Sequence, residues 1–158
     1  MEISSFLKLL STVTIQATDG KSVIAQEKEL FNGYLDSDFK NWGLDETGDP
    51  TPETSIQVFE LIKNATLNQM FNSISNELDK ICLTQSQIIE IIKNHRNLLN
   101  QEGYVNFFLM KENDEYFVTG VGLYSDGGLY ALVYRFGYAS VWYGALGLRV
   151  FSCNLQGA

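Results

Sequence analysis

The chain has 158 residues, 11 basic against 19 acidic, giving a formal net charge of −8, with 45% apolar and 19% charged side chains. That length and balance suit a single domain over residues 1–158 that needs neither disulfide nor metal to fold, and the acidity argues against a nucleic-acid partner, which calls for a basic face. Cys82 and Cys153 make no metal-ligand pattern and no disulfide framework. No window approaches the ~18 apolar residues of a membrane span, and the opening MEISSFLKLLSTVTIQA lacks the basic-then-apolar order of a secretion signal. A cytoplasmic protein with no membrane partner is expected.

Residues 6–18 alternate over Leu9, Ser11, Val13, Ile15 and Ala17 and are dense in Val, Ile and Thr, whose branched Cβ atoms fit a pleated surface. They predict a strand closed by Asp19-Gly20, with a second strand over 22–26 completing a hairpin. A weaker strand covers 30–35. Asp36-Ser37-Asp38 reads as a helix N-cap, with Phe39 and Trp42 buried from one short turn. Residues 43–53 (GLDETGDPTPE) hold both prolines and form a loop by composition. Residues 54–62 fit a strand or a helix capped by Thr51. The β-branched residues at even positions favour the strand.

Thr66 with Gln69, and Thr84 with Gln87, read as capping boxes, in which each side chain satisfies a backbone N–H that the first turn leaves free. The stripe Leu67, Met70, Phe71, Ile74, Leu78, Ile81 follows the first cap. Ile88, Ile91, Ile92, His95, Leu98 and Leu99 follow the second, and Gly103 ends that helix. From Tyr104 the period is two. Strands over 104–111, 115–124 and 129–136 are joined at Glu112-Asn113-Asp114 and Ser125-Asp126-Gly127-Gly128, and 148–153 supplies a fourth. Residues 104–151 carry 13 of the 20 aromatic side chains, so this sheet is the main packing surface. The fold class is α+β: a mostly antiparallel sheet with two central helices packed on one face.

The runs YLDSDFKNW (34–42), TLNQMFNSI (66–74) and RVFS (149–152) resemble a family of small uncharacterised bacterial proteins of unknown function. The resemblance implies a bacterial intracellular protein. It favours the strand for 54–62 and carries over no activity and no functional residue.

Acidic side chains gather in residues 27–60, where nine face only Lys28 and Lys40. Asp36, Asp38, Asp45, Glu46 and Asp49 form the centre of this patch, which can steer a basic partner or simply keep a loop solvated. Asp36-x-Asp38 opens like a calcium loop but fails at Lys40, at Asn41 in the glycine position and at Thr47. His95, the one histidine, fits a core edge better than a general base, and most zinc hydrolase sites need more than one. Neither cysteine sits in a nucleophile motif, no G-x-S-x-G elbow is present, and the glycines at 120, 122, 127 and 128 fall in strands and turns rather than before a helix. No metal and no cofactor is expected.

On the strand 129–136, Tyr130, Leu132, Tyr134 and Phe136 share one face, opposite Leu129, Ala131 and Val133, and Tyr138, Trp142 and Tyr143 follow. Either both faces are covered or one meets a partner. Tyr130, Tyr134, Tyr138, Trp142 and Tyr143 are the candidate interface. The leading expectation is a non-enzymatic module that binds a protein partner or self-associates. The alternatives are a small hydrolase built on loop carboxylates or a metal, with His95 assisting, and an acidic inhibitor or immunity-type protein for a basic toxin or nuclease.

Overall fold

The computed structural model describes residues 6–154. The elements in chain order are β1 (Leu7–Ile15), β2 (Tyr34–Leu35), α1 (Asp38–Asn41), β3 (Thr54–Leu61), α2 (Leu67–Ile74), α3 (Gln85–Asn94), β4 (Asn106–Glu112), β5 (Glu115–Leu123), β6 (Leu129–Arg135) and β7 (Arg149–Cys153). All seven strands join one sheet in the order β1-β3-β7-β4-β5-β6-β2. The pairing is antiparallel except where β7 meets β4 and where β2 meets β6. The fold is mixed α and β, with a mostly antiparallel sheet.

The two C-terminal hairpins follow from local chemistry. Asn113 and Asp114 both take positive φ, 53° and 62°, as a two-residue turn between right-twisted strands requires. In the next turn Gly127 has φ 90°, and the Asp126 carboxylate accepts from the Gly128 N–H. Both capping boxes form, with Thr66 and Thr84 each exchanging hydrogen bonds with the glutamine three residues on.

Four local expectations are corrected. Residues 22–26 are not a strand but a 3-10 turn at Ile24–Gln26, and β1 pairs with β3 instead of a hairpin partner. The reason is the N-terminus of α3, whose side chains capture this segment. Gln85 Oε1 accepts from the Ile24 N–H, and Ser86 Oγ accepts from the Ser22 N–H while donating to the Ser22 carbonyl. The strand at 30–35 shrinks to Tyr34–Leu35. Helix α2 ends at Ile74, because Ser75 is extended and its hydroxyl accepts from the Glu77 N–H, so Leu78 falls in a separate 3-10 turn. Helix α3 ends at Asn94 rather than near Gly103, with His95 at its C-cap.

The expectation that both helices cover one face is also corrected. Strand β4 separates two clusters: Phe108 and Met110 belong to one, with Ile88, Ile91 and Ile92 of α3, while Phe107 and Leu109 belong to the other, with Leu67, Met70 and Phe71 of α2. Successive strand residues point to opposite faces, so each face carries one helix. The chain changes face between the helices. Parallel pairing of β4 with β7 stops at Phe108 and Phe151, and residues 81–83 enter the fork beyond it. There Ile81 O accepts from the Cys153 N–H and the Leu83 N–H donates to Leu109 O. Ile81 packs in the α2 cluster and Leu83 in the α3 cluster.

A bulge does the same for β1. Leu7 pairs with Leu61 and Leu9 with Phe59, but after the shift Ser11 pairs with Val58 and Val13 with Ile56. One extra residue re-aims the odd positions. Leu7 therefore joins the α2 cluster, while Ile15 joins the α3 cluster with Val13 packed against it.

Candidate aromatic cleft

Strand β6 builds the floor. Leu129, Ala131 and Val133 point into the α3 cluster and are buried, which leaves Tyr130, Leu132 and Tyr134 on the opposite face, half-buried. Across from them on β5 stand Gly120 and Gly122, paired with Leu132 and Tyr130. A Cβ on Gly122 would lie 1.9 Å from the Tyr130 ring, and one on Gly120 would lie 2.9 Å from Val105 and 3.3 Å from the Tyr134 ring. Bare Cα atoms thus let tyrosine rings lie down over β5. The Tyr130 hydroxyl reaches across to donate to Gly103 O at 3.3 Å.

The irregular segment after β6 forms the wall. Trp142 is pinned by two backbone hydrogen bonds with Ala65, at 2.8 and 3.0 Å. Its ring stands edge-on to Phe107 at 4.9 Å and to Tyr134 at 5.6 Å, the T-shaped contact aromatic quadrupoles favour. Its indole N–H is buried with no hydrogen-bond partner among the described residues. Tyr138 stacks obliquely on Tyr134 at 5.1 Å.

The result is an open cleft of about 450 Å³. Tyr130, Tyr134, Tyr138, Trp142 and Tyr143, the five residues singled out in the sequence, all line it, joined by Tyr104, Val141 and Leu146. Tyr143 is 62% exposed and Tyr138 46%, so the rim is wet while the floor is covered. Among the described residues no carboxylate, amine or guanidinium lines the cleft. Burial, then the neighbouring Tyr138 and Tyr130 phenols, push the Tyr134 hydroxyl up to about 12, and burial also raises that of Tyr130. These phenols are neutral at physiological pH and can donate or accept a hydrogen bond. The sequence marks Tyr104 only as the start of a strand. Its place in the cleft depends on β6 lying two strands from β4, which local pattern does not encode.

The acidic candidates are dispersed by comparison. Asp36 serves the backbone: one carboxylate oxygen accepts from Val133 N–H at 3.1 Å and the other from Asp38 N–H at 3.0 Å. The first bond extends the pairing of β2 with β6 by a side chain. Asp38 opens α1, where its charge suits the helix N-terminus. Asp45 and Asp49 stay in the 43–53 loop, which Gly48 N–H ties to Gly20 O at 2.9 Å. Glu46 lines a separate recess of about 320 Å³ with Asp79, Cys82 and Glu112. Among the described residues no group of three or more His, Cys, Asp or Glu is placed to hold a metal ion.

The two cysteines, distant in sequence, meet at the fork between β4 and β7. Cys153 Sγ donates to Cys82 O at 3.1 Å, and both thiols are free. Burial pushes both thiols up, that of Cys82 to about 12, the opposite of what an activated nucleophile needs.

No helix among the described residues is long and apolar enough to cross a membrane. No family model matches the chain, and neither curated proteins nor solved structures give a match.

Proposed function

We propose that the protein is a non-catalytic binding module whose aromatic cleft receives an apolar or aromatic group of a protein partner. The carrying observation is the cleft itself: rings from β6 and the following segment surround a concavity with no charged lining among the described residues. Tyr and Trp anchor interfaces because a rigid ring covers much area with little entropy to lose. A neutral lining selects by shape and apolar contact. The acidic side chains of residues 27–60 lie outside the cleft and bias encounter toward a basic surface, an effect that weakens as salt rises.

The test is partner capture from cells by the native chain and by the Tyr138→Ala/Tyr143→Ala double variant, at low and high salt. Both side chains are exposed, so the fold is expected to survive. Loss of the captured partner on the variant supports the reading. An unchanged partner set refutes it.

A further inference from the structure

The sheet has two edges, and they differ. At one edge β2 is only two residues long, and the Asp36 carboxylate, together with Gly33 and Asp36 backbone bonds to Leu129 and Ala131, occupies the outer side of β6. At the other edge lies β1, nine residues with no neighbour beyond it in the sheet among the described residues.

Leu61 N–H donates to Leu148 O and Asn154 N–H donates to Ser55 O, so odd residues of β3 face β7 and even ones face β1. Val58, Ile56 and Thr54 are even, and their partners are Ser11, Val13 and Ile15. Residues between these, Thr12 and Thr14, therefore turn their N–H and C=O groups outward. No described residue hydrogen-bonds to those outer groups.

We propose that β1 pairs antiparallel with β1 of a second copy of this chain, about a two-fold axis at Val13, joining two sheets edge to edge. Three observations select a second copy. The chain is acidic overall, yet residues 6–18 contain no acid and one lysine, so two copies approach here with little repulsion. The register is self-complementary: Thr12 faces Thr14 of the partner subunit, a favourable cross-strand pair, and each such pair exchanges two backbone hydrogen bonds. On the other face Val13, which packs against the α3 cluster, meets its own copy and extends that apolar layer. The contrast between the edges then gives a closed pair rather than a filament, since β2 offers no comparable edge to a third copy.

Sedimentation of the full chain tests this. The expected mass is twice the 17.8 kDa of one chain. Thr12→Pro and Thr14→Pro each remove an outward N–H without touching the β1–β3 ladder, so each is expected to halve the mass while the circular dichroism spectrum is kept. Val13→Cys reads the register independently of any proline effect: it is expected to cross-link two chains under mild oxidation, while Lys8→Cys and the native chain are not. A native chain that sediments as a monomer overturns the proposal. So does a dimer that yields no Val13→Cys cross-link, or one that survives both prolines and is dissociated by Tyr138→Ala/Tyr143→Ala. That last result would place self-association in the aromatic cleft, whereas loss of partner capture with the dimer intact concerns the cleft alone.

Discussion

The Tyr130 ring lies across the bare Cα of Gly122 so closely that a single methyl group there would sit 1.9 Å from it. The floor of the cleft therefore depends on one missing side chain. Gly122→Ala is expected to lift the ring, break the hydroxyl contact with Gly103 and destabilise the protein by about 1–3 kcal/mol, the usual range for overpacking. If the clash is the cause, adding Tyr130→Ala removes most of the extra penalty. Urea denaturation of the four proteins in the cycle measures this, and strictly additive effects would contradict it.

Strand β7 is the keystone of the sheet, for without it β1–β3 and β4–β5–β6–β2 share no strand contact. Phe151 stacks on Phe108 with ring centroids 4.5 Å apart, in the α3 cluster. Phe151→Ala is expected to cost about 3–5 kcal/mol, the range for truncating a buried aromatic ring. Phe136→Ala, on a half-buried ring beside α2, is expected to cost clearly less. Equal effects in chemical denaturation would speak against this role for β7.

Gln85 ties three segments through one buried amide. Its oxygen accepts from Ile24 N–H at 2.9 Å, and its nitrogen donates to Leu44 O at 2.8 Å and to the Glu112 carboxylate at 3.1 Å. Gln85→Leu keeps the volume and strands those partners, so a loss of about 1–3 kcal/mol per orphaned group is expected. Faster amide exchange at Ile24 and earlier proteolysis in the 43–53 loop would accompany it. Unchanged exchange at Ile24 would show that the amide is not the tie.

Stability should fall under alkaline conditions in a defined window. The Cys82 thiol is raised from 9.0, and the Tyr134 phenol from 10.0, each to about 12 in the folded chain. Both groups are neutral when protonated, so below pH 9 neither distinguishes the folded from the unfolded state. Above it the unfolded chain releases protons first and gains stability relative to the folded one. The melting temperature is thus expected to drop progressively from pH 9 to 12. Cys82→Ser should flatten the lower part of the drop and Tyr134→Phe the upper part. Melting curves with the same slope in both variants and the native chain would refute the assignment.

Much of the C-terminal half was legible because its signals are local. Asn113-Asp114 adopts the turn its residue types prefer, and the period of two from Phe107 to Arg135 states which side chains share a face. That is why Tyr130 and Tyr134 fall on one face by pattern alone, whereas Tyr138, Trp142 and Tyr143 join them only by following closely in sequence. Thr66 and Thr84 were legible for the same reason, since a capping box closes within one turn. The helix ends were not. Apolar residues at Leu78 and Leu98 continue the stripes at helical spacing, but each falls in a 3-10 turn, because Ser75 at the end of α2 and His95 at the end of α3 leave helical geometry.

The amino-acid order by itself determined where α2, α3, β3, β5 and β6 begin, which rings share the outer face of β6 and where negative charge accumulates. Only the tertiary structure decided that β7 inserts between β3 and β4, that residues 81–83 pass through the fork beyond and send α2 and α3 to opposite faces, and that a bulge near Leu10 swaps the faces of β1. The division has a physical reason. Turn and cap preferences are settled by backbone groups a few residues apart, whereas strand order and helix side are settled by which apolar surfaces, brought together from across the whole chain, exclude water best.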